Sequence, residues 1–162
     1  WKFLVISNDE LKTKISPLCS EEISISSSSH LVIFLAAIES INSESQSSHS
    51  KSVKKGFPAD KLEFYTGIYP NHPEDSCHSN ENMYSWPARQ TYLSAGNMMT
   101  AAAIKGIDSC PIESYEKENI EEVLGLDTSK FQIACLLPFG YRLNEQSSTD
   151  KESLDDSIEF IK

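Results

Sequence analysis

Four runs of apolar, β-rich residues punctuate the chain, at 1–6, 31–37, 107–112 and 131–139. Segments with a different period separate them. Ala88, Tyr92, Ala95, Met99 and Ala102 recur in steps of three or four, which keeps small or apolar side chains on one face of a helix. This spacing predicts a helix over 88–105, with Pro87 in its first turn and Gly106 as its stop. Ser94, Ala95 and Gly96 leave a notch in its middle where another backbone or a flat ring fits, although periodicity alone favours a plain core helix. Asn8 caps a predicted short helix that ends near Pro17. A further helix is predicted over 116–124, with Ile120, Val123 and Leu124 inward and Gly125 closing it. The run at 1–6 reads as a core strand, 18–29 as irregular, 39–55 as a loop with a helical stub, and 60–68 as a helix. Together these elements predict an α+β fold in one domain, 1–162: a mostly antiparallel sheet with the 88–105 helix at its centre.

Charge narrows the partners. The 162 residues hold 14 Lys+Arg against 24 Asp+Glu, a net charge of −10, which disfavours nucleic acid and anionic membranes. The longest apolar run, 31–38, is too short to span a bilayer. Cys19, Cys77, Cys110 and Cys135 are widely spaced, with no C-x-x-C, and point to a reducing cytoplasm rather than a disulfide framework. The chain opens on Trp1 inside an apolar run, from which we expect a segment to precede it.

Classical side-chain chemistry finds little support. His72, Asp75, Cys77 and His78 crowd one stretch, but zinc sites draw on separated ligand pairs, and we read a polar loop and no metal. His30 beside an apolar strand reads as structural. No G-x-S-x-G elbow orders the many Ser, His and Asp residues.

One stretch carries more specific information. Residues 88–115 read ARQTYLSAGNMMTAAAIKGIDSCPIESY, and this resembles the central helix and following strand of the FMN-dependent nitroreductases. The likeness lies in Arg-Gln ahead of a Tyr, a Gly-Asn pair, an Ala run, Gly-Ile-Asp and Pro-Ile-Glu, all at fixed spacing. Trp1, Phe3, Val5, Ser29, His30, Val32 and Phe34 also match the family's first two strands, and Gly140-Tyr141-Arg142 matches the end of its last. The resemblance implies a homodimer that passes electrons from NAD(P)H through FMN to a nitroaromatic or quinone, with no side chain acting as nucleophile.

It also implies site residues. Pro111, Ile112, Glu113 and Ser114 match the turn against the flavin ring, with the backbone N–H at Glu113 aimed at N5. Lys151 matches one cation of the phosphate grip. The sequence departs from the family at Ser114, usually Gly, at Thr149, usually Lys, and at Glu21 and Ser24, where Asn and Lys usually bond the ring's polar edge. The family's first phosphate motif, which lies ahead of the leading Trp, is not in this sequence, so we expect the chain alone to bind FMN weakly. Phe64 and Tyr65 match a helix that reaches over the partner's flavin, although plain packing accounts for them equally. Two outcomes stay open: a flavin-dependent oxidoreductase, or a remnant that keeps the fold and dimer but binds no FMN.

Overall fold

The computed structural model describes residues 1–38, 80–145 and 158–161. Chain order is β1 (Lys2–Ile6), α1 (Asp9–Ile15), a 3-10 turn (Ser16–Leu18), α2 (Glu22–Ser26), β2 (His30–Ala37), α3 (Asn80–Ile104), β3 (Asp108–Ser109), α4 (Lys117–Val123) and β4 (Phe131–Gly140). The strands form one sheet in the order β1-β2-β4-β3, antiparallel at every pairing. The expected α+β architecture is therefore present, and α3 lies against β2 and β4.

The continuous apolar run of β2 has a direct cause: both of its faces are covered. Leu31, Ile33 and Leu35 pack with Ile15, Ile25, Ile112 and Ile120 on one side. Val32 and Phe34 pack with Ala95, Met98 and Met99 of α3 on the other. A strand buried on two faces loses the polar alternation of a half-buried one. Gly106 ends α3 at φ +71°, with Ile107 N–H donating to Ala102 C=O (2.9 Å) and Gly106 N–H to Ala103 C=O (3.0 Å). That paired pattern satisfies carbonyls the helix leaves open and demands a left-handed residue.

Five expectations change. β1 is an edge strand rather than a core strand. Phe3 meets Phe34 edge-on at 5.1 Å, yet Val5 stays 65% exposed because α3 covers β2 and β4 instead. The helix read over 88–105 begins at Asn80, so Pro87 lies inside it rather than in its first turn. The strand read over 107–112 shrinks to two residues, since Pro111 has no N–H to continue the ladder. Residues 22–26, read as irregular, form α2. Ile25 anchors it in the core, and Ser27 Oγ and Ser28 Oγ donate to the Ile23 and Ile25 carbonyls at 2.5 and 2.8 Å. Val123 of α4 is 40% exposed, whereas Ile120 is fully buried and Leu124 packs on the core. The loop and helix read over 39–55 and 60–68 lie outside the described residues.

No helix among the described residues is long and apolar enough to cross a membrane.

Candidate functional site

β3 ends at Ser109, and the chain must then turn without a complete ladder. It does so between two anchors. Ile112 and Leu136 exchange backbone hydrogen bonds of 2.8 and 3.2 Å, tying the turn to β4. Ser20 N–H donates to Ser114 C=O (3.0 Å) and Glu116 N–H to Leu18 C=O (2.8 Å), tying its far side to the segment before α2. Ile112 is buried beneath the turn, while Pro111, Glu113 and Ser114 are exposed. Among the described residues, neither the Glu113 N–H nor the Ser114 N–H has an acceptor. The turn thus offers two adjacent donors on a fixed backbone.

Behind it, β4 carries a bulge. Phe34 pairs with Cys135 and Leu35 with Ile133, leaving Ala134 as the extra residue. Three tyrosines and a glutamate complete this part of the strand. Tyr92 Oη donates to Ala134 C=O at 3.1 Å, and Tyr84 Oη and Tyr115 Oη both donate to Ile133 C=O, at 2.7 and 3.4 Å. Buried Glu121 accepts the Ile133 N–H at 2.9 Å. Lys117 Nζ sits 3.9 Å from the Tyr84 ring centre and donates to Gln132 Oε1 at 2.7 Å. Burial, then neighbouring Tyr84 and Tyr92, push the Tyr115 phenol far above its usual range; burial, then the Glu113 carboxylate, do the same to Tyr92.

The thiols are equally quiet. Burial, followed by the Glu113 carboxylate, raises Cys135 to about 11; burial and Glu116 raise Cys19 to about 11. Cys110, beside the turn, is raised by burial and by Glu21. None of the three supplies a thiolate nucleophile at neutral pH. Exposed His30 touches Ser29 Oγ through Nδ1 at 2.8 Å.

The structure therefore brings Pro111, Ile112, Glu113 and Ser114 into one turn, and sets Glu21 next to it through the Ser20–Ser114 bond. Lys151, Thr149, Phe64, Tyr65 and the 72–78 cluster lie outside the described residues. Among the described residues no group of three or more His, Cys, Asp or Glu converges on a metal position. Sequence reading missed Glu121, Tyr84 and the buried Lys12, whose Nζ pairs with Asp9 at 2.9 Å and also donates to the Ser28 carbonyl. The signal for Tyr84 was its place eight residues before Tyr92, on the same face of α3.

A concavity of about 600 Å³ lies at the end of α3, between Thr100, Ala103, Asp108, Tyr141 and Arg142. Arg142 closes one wall. Its backbone N–H and its Nε donate to Asp108 Oδ2 at 3.0 and 2.9 Å.

Comparison with known proteins places this geometry in context. The family model described as the nitroreductase family matches residues 1–141. A Bacillus subtilis relative, "Putative NAD(P)H nitroreductase YfkO", is 30% identical over 172 residues, covering 99% of this chain and 77% of that one. In fold, the chain is similar to a solved nitroreductase-like protein from Streptococcus mutans, at TM-score 0.84 and 16% identity, covering 100% of this chain and 77% of the other. An Exiguobacterium sibiricum "putative nitroreductase in complex with FMN" matches at TM-score 0.75 and 21% identity, over 99% of this chain and 76% of that one.

Proposed function

We propose that this chain, which belongs to the nitroreductase family, is a flavin-dependent oxidoreductase of the cytoplasm that moves electrons from NAD(P)H through FMN to nitroaromatic or quinone acceptors in two alternating half-reactions. The observation that carries this reading is the exposed, doubly anchored turn with two N–H groups that meet no acceptor among the described residues. FMN, when bound, supplies the hydride chemistry that no side chain here offers. The residues present fit the ring end of such a group. Glu113 N–H and Ser114 N–H are fixed donors, and a donor held in place stabilises negative charge on a reduced ring without reorganising. Pro111 stiffens the approach to the turn, and buried Ile112 holds it to the sheet. Lys151 is the cation we assign to the phosphate end.

The same reading makes the protein a homodimer built on α3, in a single domain. Gly96 supports this, since a Cβ added there meets nothing within 4 Å, and neighbouring Leu93 is 68% exposed. Sedimentation showing only an 18.1 kDa monomer at high micromolar concentration counts against it.

FMN titration with flavin fluorescence as the readout tests the cofactor. We expect saturable quenching, then anaerobic loss of flavin absorbance on adding NAD(P)H and its return on adding a nitroaromatic or quinone. An absence of quenching up to millimolar FMN overturns the reading. It favours instead a fold retained without its cofactor, for which the Glu21 carboxylate beside the turn is the supporting observation.

A further inference from the structure

We infer that Glu21 sets the charge preference of the flavin-facing turn: its carboxylate, one residue beyond the Ser20–Ser114 hydrogen bond, makes the Glu113 and Ser114 N–H groups hold a neutral ring in preference to an anionic one. The inference rests on the reading of that turn as the flavin site. Its geometry comes from backbone bonds. Cys19 and Tyr115 form an antiparallel bridge. Glu116 N–H donates to Leu18 C=O (2.8 Å) on one side of it, and Ser20 N–H to Ser114 C=O (3.0 Å) on the other. Segment 18–20 therefore runs alongside 114–116, and Glu21 follows Ser20 by a single Cα step of about 3.8 Å. α2 begins at the next residue, and Ile25 N–H donates to Glu21 C=O at 3.3 Å, so the backbone at Glu21 is held from both sides. Glu21 itself is exposed. Its charge also reaches the other end of the turn: after burial, it is what raises the Cys110 thiol, one residue ahead of Pro111.

The surroundings do not cancel that charge. Among the described residues no ion pair forms to Glu21. Lys117, three residues on from Ser114, is committed to the Tyr84 ring at 3.9 Å and to Gln132 Oε1 at 2.7 Å. The other acidic groups of this stretch add to the effect: Glu113 is exposed on the turn, and Glu116 accepts a hydrogen bond from Asn119. A flavin that takes up two electrons and one proton carries a negative charge on its ring, and a second proton makes it neutral. Fixed N–H donors favour the charged form, whereas a like charge close by opposes it. The turn supplies the donors, and Glu21 limits how much ring charge they meet.

The test compares Glu21→Gln with Glu122→Gln, which removes the same charge from an exposed site in the last turn of α4. In the flavin-free chain, alkylation of each cysteine by iodoacetamide at pH 9 is followed by mass spectrometry. Glu21→Gln is expected to speed labelling of Cys110 by about threefold, because the thiolate is the reactive form and a nearby negative charge suppresses it. Cys19 and Cys135 are expected to keep their rates, and Glu122→Gln to leave all three unchanged. An unchanged Cys110 in Glu21→Gln, or an equal gain in Glu122→Gln, overturns the inference. A gain shared by Cys19 and Cys135 shows a loosened fold instead and overturns it as well. FMN then tests the preference itself, through fluorescence quenching for the oxidised form and equilibration with a reference dye for the potential. Glu21→Gln is expected to tighten reduced FMN about tenfold relative to oxidised FMN, which raises the two-electron potential by about 30 mV. Equal tightening of both forms overturns the inference. An absence of FMN binding in both variants refutes the flavin reading, and the Cys110 rates then decide alone whether Glu21 charges the turn.

Discussion

Ile112 and Leu136 exchange both of their backbone hydrogen bonds, at 2.8 and 3.2 Å, across a gap where the sheet has otherwise run out of strand. With the Ser20–Ser114 and Glu116–Leu18 bonds on its far side, this pair anchors the turn after β3 at both ends. Ile112 also fills the core between α1, α4 and the sheet. The Ile112→Ala variant is therefore expected to lose about 2–5 kcal/mol by the usual cost of emptying a buried aliphatic site. Chemical denaturation measures that loss, and FMN affinity is expected to fall with it.

Glu121 is buried and accepts the Ile133 N–H at 2.9 Å. Glu121→Ala leaves that N–H without an acceptor beside an apolar core. We expect a loss of about 1–3 kcal/mol, read from the denaturant midpoint at an unchanged slope. A loss below a few tenths would show that water reaches Ile133.

Gly106 sits at φ +71° with open space around its Cα. Gly106→Ala meets no clash, so its cost is the backbone conformation alone, about 1–2 kcal/mol. Gly96→Ala, in helical backbone and equally open space, is expected to stabilise the monomer instead by roughly 0.5–1 kcal/mol. Thermal melts of the two variants should move in opposite directions.

The Arg142 guanidinium and backbone N–H hold the Asp108 carboxyl below the ordinary carboxylate range. A folded value below the unfolded one means the clamp stabilises the fold at pH values above the ordinary Asp range. Its contribution fades as pH falls through the lowered folded value. NMR titration of Asp108 is expected to show this depression in the native chain and its reversal in Arg142→Gln. An Asp108 that titrates alike in both would dissolve the clamp.

Periodicity alone revealed β2, β4 and the stretch of α3 from 88 onward, because burial on two faces or on one helical stripe is written directly into residue type. It misread β1, since Phe3 and Val5 look the same in sequence whether a helix covers them or not. Pro87 suggested a helix start because the local rule for proline is strong, yet α3 runs through it. The bulge at Ala134 is invisible in sequence, as it exists only in the register between β2 and β4. Glu121 reads as one more solvated glutamate until Ile133 is set beside it. The turn at Pro111 to Ser114 was legible from its residues, but its role beside a flavin ring came from family likeness and not from any physical pattern.

The three described thiols have a chemical consequence for a protein that handles electrons. With Cys19 and Cys135 held at about 11, roughly one molecule in ten thousand carries either thiolate at pH 7. Peroxide and alkylating quinones attack the thiolate and largely ignore the thiol. The fold thus withholds Cys19 and Cys135 from such oxidants, and slow labelling of these two cysteines in the native chain, against fast labelling after denaturation, would display that protection.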